Sequence, residues 1–260
     1  GTKRMNINQL GKEFDRPATR LREMIKGLKI AWSKPYDEDI DFQGDYYSMS
    51  GKGLRGVKSD SGLAGFKGNS SNPPPTPALI YLAAVNKAMF RLAGDLCDGL
   101  CGHPIASVKF INDTAWPSID EGLKRSNRTR SDFDHNAWIV TAISSDEKQA
   151  EREAKYHIAR FMATRSYGIV LDSQGYSDIK ENIQNEFFNN PNDPDALINA
   201  VPDDIAKEHS IYGNIDQVRE QAEKYEGVVN TSTFYCASAL MSHERIHENL
   251  KLMIEAFGKN

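Results

Sequence analysis

Long apolar runs and clusters of positive charge are both missing from this sequence. No stretch approaches the roughly 18 consecutive apolar residues that indicate a membrane span, and no charged-then-apolar leader begins the chain. The formal net charge is only −4, without a basic stripe that would match a nucleic-acid backbone. We therefore expect a cytoplasmic protein that neither enters a membrane nor binds nucleic acid.

Cysteine is also scarce, with three residues at Cys97, Cys101 and Cys236. So few cysteines argue against a disulfide framework and fit a reduced compartment. Cys97 and Cys101 lie four residues apart, but no second pair completes a zinc site. We interpret both as small buried hydrophobic residues.

What the chain does contain is a strand–helix–strand pattern in its middle. The apolar run over 78–84 is short for a helix and follows three prolines, which is typical of a strand buried on both faces. Asn86 then begins a short helix, and Leu100 and Cys101 belong to a second buried strand over 99–102. This pattern predicts a βαβ unit with parallel strands.

The turn after the first of these strands carries small side chains at the start of a helix. Its residues are Ala83, Ala84, Val85 and Asn86. Backbone amides at a helix N-terminus attract anions. The turn is therefore our candidate for a cofactor site that holds a phosphate.

Two further strands and several helices complete the pattern. Buried strands are predicted over 137–143 and 228–235, and a helix is predicted to begin at Pro17. Capping-box patterns, Ser144 with Glu147 and Asn214 with Gln217, predict the start of two further helices. The other predicted elements are a loop over 1–14, a hairpin over 41–49, a helix over 108–124 with a break at Pro117, short helices over 168–202, and a final helix whose inner face carries Ile246, Leu250, Met253, Ile254 and Phe257.

Helices that alternate with four buried strands are typical of a parallel α/β fold. A complete eight-stranded barrel needs about 250 residues, yet this chain of 260 residues has only four core strands. The other residues lie in a long excursion at about 34–76 and an irregular helical segment at about 166–204. We interpret residues 1–260 as one domain that forms half a barrel.

Several segments resemble, in their order and spacing, the bacterial-luciferase-like family of flavin- and deazaflavin-dependent oxidoreductases. The nearest branch uses the deazaflavin coenzyme F420, and there a hydrophobic strand ends in two alanines, as at Ala83 and Ala84. The matching segments are Phe42-Gln-Gly-Asp-Tyr-Tyr47, Pro77-Ala-Leu-Ile-Tyr-Leu-Ala-Ala84, Leu92-Ala-Gly-Asp-Leu-Cys-Asp-Gly99, the helix over 147–165 and the segment 205–227.

This resemblance implies a TIM (β/α)₈ barrel, of which the chain is the C-terminal portion without the first four strands. It implies an oxidoreductase or monooxygenase that acts on a small-molecule substrate, either with oxygen on paired donors or by deazaflavin-dependent hydride transfer. In the family the turn after the fifth strand binds the cofactor phosphate, which would place F420 or FMN at residues 83–86. The residues that the resemblance adds to the rim of this pocket are Gly102, His103, Gly1, Thr2 and Lys3.

His103 follows a predicted strand at its carboxyl end, where barrel active sites are built. A histidine there can donate a hydrogen bond to a phosphate or act as a general acid near neutral pH. The alternative is a rim histidine, fixed by Pro104, without a chemical role. We take His103 as the candidate catalytic residue.

Three other motifs have competing interpretations. His243-Glu-Arg-Ile-His247 matches the motif of zinc proteases, which makes a zinc hydrolase an alternative function, but the same segment fits an amphipathic outer helix. Residues 51–56 match a dinucleotide-binding fingerprint but lack the helix that should follow it. Trp138 either lines the pocket or fills the core.

A further alternative is a half-barrel without activity that needs a partner chain. Parallel strands that end in open edges leave backbone groups unpaired. Two copies could close a barrel as a homodimer, or the missing N-terminal half could be a separate chain.

Overall fold

The computed structural model describes residues 3–35, 38–53 and 78–258. Gly1, Thr2 and most of the predicted excursion, including much of the 51–56 motif, lie outside the described residues. The helices are α1 (Lys3–Asn8), α2 (Pro17–Ser33), α3 (Lys87–Leu96), α4 (Val108–Phe110), α5 (Trp116–Arg125), α6 (Glu147–Met162), α7 (Ile169–Asp172), α8 (Ser177–Asn189), α9 (Pro194–Asn199), α10 (Asp203–His209), α11 (Ile215–Ala222) and α12 (His243–Phe257). None of the helices in the described ranges is long and apolar enough to span a membrane.

Two sheets are present in the described residues. A small antiparallel hairpin joins two strands near the start of the chain, as predicted, and five parallel strands form the main sheet. The hairpin strands are β1 (Asp39–Gln43) and β2 (Ser48–Lys52), and the main-sheet strands are β3 (Tyr81–Ala84), β4 (Gly99–Gly102), β5 (Asp134–Ile143), β6 (Ile211–Gly213) and β7 (Thr231–Cys236).

The long strand β5 organises the main sheet. Its first residues pair with β4, its last residues pair with β6, and 136–141 pair with β7. Asn136 of β5 pairs with both β4 and β7, and Thr141 of β5 pairs with both β6 and β7. A residue pairs with two strands only when they lie on its two sides, so β7 lies along the opposite edge of β5 from β4 and β6. The result is a parallel order β3–β4–β5–β7, with the short β6 beside the carboxyl end of β5.

The predicted βαβ unit is confirmed by the parallel pairing of β3 with β4. Within it, α3 packs closely on α5 because glycines meet the facing backbone. A β-carbon at Gly94 would clash with the carbonyl of Ile119, and one at Gly122 would clash with the carbonyl of Arg91. Glycine is therefore needed at both positions to bring the two helices together behind the sheet.

The two faces of the main sheet differ in character. One face packs against helices: Leu100 and Ile139 are buried in the core, and the Phe234 ring stacks on Phe257 of α12 with 3.6 Å between ring centroids. Side chains alternate along a strand, so the other face carries the intervening residues. We call it the polar face, and its members include Tyr81, Ala83, Cys101, Asp134, Asn136, Trp138, Thr231, Thr233 and Tyr235.

Hydrogen bonds between side chains cross the strands of the polar face. The Tyr81 hydroxyl donates to Asp134 at 2.7 Å, and the Thr231 hydroxyl donates to the same carboxylate at 2.9 Å. Thr233 donates to the Asn136 side-chain oxygen at 2.9 Å. Trp138 lies on this face, half-buried and stacked on Tyr235.

Several predicted elements differ from those observed. Residues 3–8 form a short helix where a loop was predicted. Ser144 is not the N-cap of α6, because Asp146 accepts the amides of Lys148 and Gln149, while Ser144 instead accepts the amide of Asp146. The short strand β6 was not predicted at all.

The helix predicted over 108–124 does not break at Pro117. The chain stays helical, and a π-helical segment at Ile111–Ala115 joins α4 to α5. Proline has no amide hydrogen and crowds the preceding turn, so Pro117 is tolerated at the beginning of α5, directly after this widened turn.

Candidate functional site

The predicted phosphate turn lies at the carboxyl end of β3, directly before α3. Asn86 is the N-cap of α3, and its side-chain oxygen accepts the amide of Met89 at 3.1 Å. The amides of Lys87 and Ala88 precede the first intrahelical bonds and have no partner within the helix. This leaves two backbone donors at the positive end of the α3 dipole.

A pocket of about 480 Å³ opens beside this helix N-terminus. It is formed by the turn, by the α4–π segment and by α7, which come from three separate regions of the chain. The residues that line it are Val85, Asn86, Lys87, Ala88, Phe110, Thr114, Ile169, Asp172 and Ser173.

The neighbouring strand edge belongs to β4. Gly102 is paired with Ala84 in the parallel ladder, and His103 follows it. The His103 ring packs against Tyr167 at 3.9 Å and against the edge of Phe161 at 5.0 Å, between ring centroids. These contacts bring the 165–167 turn over the end of β4.

From His103 a chain of rings continues across the sheet end. Phe161 contacts His157 at 5.1 Å, His157 contacts Tyr235 at 5.3 Å, and Tyr235 stacks on Trp138 at 5.7 Å. We call these residues, together with His103 and Tyr167, the aromatic wall. It links α6 to the polar face of the sheet, so that the polar face is covered by rings toward its carboxyl end.

The two histidines of the wall are held in the uncharged form. Burial lowers the pKa of His103 to about 4 and that of His157 to about 4. Nδ1 of His103 accepts the amide of Ile105 at 3.4 Å, and Nδ1 of His157 accepts the amide of Ala239 at 3.1 Å. In the neutral ring Nε2 then carries the hydrogen, so at pH 7 each histidine can donate a hydrogen bond without being charged.

The structure brings together most of the predicted site residues that it describes. Val85 and Asn86 line the pocket, and Ala83, Ala84, Gly102 and His103 lie at the same carboxyl edge of β3 and β4. Lys3 begins α1 with an exposed side chain and is not among the residues that line the pocket.

Sequence reasoning missed the other walls of the pocket. Phe110 and Thr114 lie in the α4–π segment, and Ile169, Asp172 and Ser173 lie in or beside α7. No motif marks these residues. The one feature that could have pointed to them is their place in the chain: each segment follows a strand or a helix that ends near the carboxyl edge of the sheet.

The histidines and the glutamate of the zinc motif lie on the surface of α12. His243, Glu244 and His247 are all exposed on α12, and the described residues contain no group of three or more histidine, cysteine or acidic side chains that could hold a metal ion. The inward positions of this helix are Arg245, Asn249 and Met253.

Comparison with known sequences agrees with the resemblance that the sequence segments indicate. A family model described as luciferase-like monooxygenase matches residues 1–231. A 5,10-methylenetetrahydromethanopterin reductase of Archaeoglobus fulgidus is 24% identical over 221 residues, which cover 84% of this chain and 60% of the relative. An F420-dependent glucose-6-phosphate dehydrogenase of Intrasporangium calvum is 29% identical over 154 residues, which cover 59% and 39% of the two chains.

Comparison with solved structures supports the same fold. The coenzyme F420 dependent tetrahydromethanopterin reductase from Methanopyrus kandleri superposes with a TM-score of 0.62 at 20% identity, and the match covers 90% of this chain and 62% of that one. The predicted α/β fold of the luciferase-like barrel type is thereby confirmed. The chain spans about 60% of the length of the curated relatives that it matches first.

Proposed function

The chain belongs to the luciferase-like monooxygenase family, and from that premise we propose that it acts in a flavin- or deazaflavin-dependent oxidoreductase, with the cofactor phosphate held at the turn 83–88. The observation that carries this proposal is the pocket at the N-terminus of α3. It lies at the carboxyl edge of a parallel sheet, where α/β proteins bind their ligands. Relatives that are F420-dependent make the deazaflavin our first choice of cofactor and FMN the second.

The residues of the turn fit a phosphate group. The amides of Lys87 and Ala88 are free of helix partners, since the Asn86 side chain satisfies only the amide of Met89. Ala83 and Ala84 carry only methyl groups, which allow close approach to the backbone. Lys87 lines the pocket and adds a positive charge at the positive end of the helix.

The chain's own residues bind and orient rather than perform the redox step. A bound flavin or deazaflavin supplies the chemistry of hydride transfer or oxygen activation. The aromatic wall excludes water from the end of the sheet, and His103 offers an uncharged hydrogen-bond donor at pH 7. We also propose His103 as the catalytic residue that acts on a small-molecule substrate.

The whole chain would supply the C-terminal portion of one barrel domain. Among the described strands, β3 and β7 each pair along one edge only. A closed barrel needs a neighbour on each of these edges, which either another half-barrel or a second copy of this chain could provide. The complete site would then include residues from that neighbour.

A binding titration tests the proposal. We expect micromolar, saturable quenching of F420 or FMN fluorescence by the wild-type chain, and binding at least about tenfold weaker for Lys87→Glu. An acidic residue in the first turn interacts favourably with the helix dipole. This variant should therefore fold, while its negative charge repels a phosphate. Lys148→Glu is the matched control, because Lys148 is likewise an exposed lysine in the first turn of a helix, α6.

Equal binding by wild type and Lys87→Glu would contradict the proposed phosphate site. The absence of saturable binding by the wild-type chain would contradict the proposal that this chain holds the cofactor.

A further inference from the structure

The pocket beside α3 has an acidic group in its wall. Asp172 ends α7 and lines the pocket together with Ile169 and Ser173, while Lys87 lines it from α3. Oδ1 of Asp172 accepts hydrogen bonds from the Lys180 ammonium at 2.6 Å and from the Ser177 hydroxyl at 2.8 Å. Within the described ranges, Oδ2 accepts no hydrogen bond.

These contacts keep Asp172 ionised. The hydrogen bond from Lys180 holds the pKa of the Asp172 carboxyl below its usual range. A phosphoryl group in the pocket therefore lies near a fixed negative charge as well as near Lys87 and the helix end. The effect of that charge must depend on how many negative charges the phosphoryl group itself carries.

Phosphate monoesters and diesters differ in this respect. A monoester has a second ionisation near pH 6 and carries between one and two negative charges at pH 7. A diester has lost that ionisable oxygen and carries a single charge. FMN ends in a monoester, whereas coenzyme F420 carries its phosphate as a diester.

We propose that Asp172 is a specificity-determining residue that biases this pocket toward a phosphodiester, as in F420, and against the more highly charged phosphomonoester of FMN. The inference rests on the proposed phosphate site and adds a choice between the two cofactor classes. Lys180 moderates the bias, because its ammonium partly neutralises the carboxylate.

The test measures what the FMN phosphate contributes to binding. The quantity is the ratio of the dissociation constant of riboflavin, which has no phosphate, to that of FMN at pH 7.5. We expect Asp172→Asn to raise this ratio by about 3- to 10-fold, which is the effect of removing one unit charge a few ångströms away in a partly exposed site. Lys180→Met should lower the ratio, because it leaves Asp172 unpaired.

Asp195→Asn is the matched control, since Asp195 also pairs with a surface cation, Arg152, but does not line the pocket. A ratio that Asp172→Asn leaves unchanged overturns the inference, as does an undetectable affinity for FMN in both wild type and Asp172→Asn. F420 binding by the wild-type chain, measured in parallel, separates the two claims: if F420 fails to bind, the proposed function itself fails.

Discussion

At the scale of single residues, the histidines show how burial determines protonation. His103, His135 and His157 are each held in the neutral form, and burial lowers the pKa of each of them to about 4. Of these, His135 lies on the helix-packed face of the sheet, with its ring 5.0 Å from that of Trp116. In an unfolded chain the same side chains have a pKa near 6.5.

This difference predicts acid sensitivity. Because the folded pKa lies below the unfolded pKa, the unfolded chain binds more protons between pH 6.5 and 4. The contribution of each histidine to stability is therefore fully present above pH 6.5 and is lost as the pH falls toward 4. We expect the free energy of unfolding to drop by about 1.4 kcal/mol per pH unit for each histidine in that window.

Urea titrations between pH 7.5 and 4.5 measure this dependence. His157→Gln should reduce the slope of unfolding free energy against pH by the contribution of one histidine. His243→Gln and His247→Gln, which change exposed side chains, should leave this slope unchanged. A free energy of unfolding that stays constant from pH 7 to 5 would be inconsistent with neutral, buried histidines.

The residue scale also shows what sequence alone could predict about the site. Val85 and Asn86 were found because a strand and a helix meet at them, and a helix N-terminus has defined chemistry. Asp172 and Phe110 were not found, since nothing in the local sequence shows that these two segments meet beside the turn. Only tertiary packing brings residues so far apart in the chain into one pocket.

At the scale of secondary-structure elements, α12 follows only in part the orientation that its apolar residues predict: Met253 is buried and Phe257 packs on Phe234, as expected. Leu250 and Ile254 are 40% and 70% exposed, while Arg245 and Asn249 are buried. Arg245 forms a bidentate ion pair with Glu153 of α6 and donates to the Ile143 carbonyl at 2.6 Å. The spacing of apolar residues therefore predicts only part of the inward face of a helix that a charged and an amide side chain hold against the sheet.

Asn249 extends the hydrogen bonding of β5 beyond the end of β7. Its side-chain oxygen accepts the Ile143 amide at 2.7 Å, and its side-chain nitrogen donates to the Thr141 carbonyl at 3.3 Å. We expect Asn249→Leu to lower the free energy of unfolding by about 2–4 kcal/mol, because it leaves a buried amide without a partner.

Chemical denaturation of paired variants checks this prediction. Leu250→Ser, at the adjacent exposed position, should change stability by no more than about 0.5 kcal/mol. A larger loss for Leu250→Ser than for Asn249→Leu would show that the apolar residues, and not the amide, dock this helix.

Other elements were predictable where the signal was local. The capping box of Asn214 and Gln217 at the start of α11 is confirmed, with reciprocal hydrogen bonds of 3.0 and 2.8 Å. The three-residue β6 was missed because so short a strand shows no alternation. Its existence depends on the carboxyl end of β5, with which it pairs.

At the scale of the whole molecule, the parallel sheet brings the site together. The turn at 85–88, the α4–π segment and α7 are distant in sequence and converge beside the carboxyl edge of the sheet. The Tyr81–Asp134–Thr231 hydrogen bonds of the polar face lie at the opposite, amino end of the strands. We therefore predict that a cofactor binds at the carboxyl end of the sheet only.

Hydrogen exchange with and without F420, followed by mass spectrometry, tests this central claim most directly. We predict slower exchange in peptides that cover 85–89 and 169–174, with no change in the α12 peptide 243–257. Protection confined to other regions, or no protection at 85–89 when F420 is bound, would contradict the assignment of the phosphate to this turn.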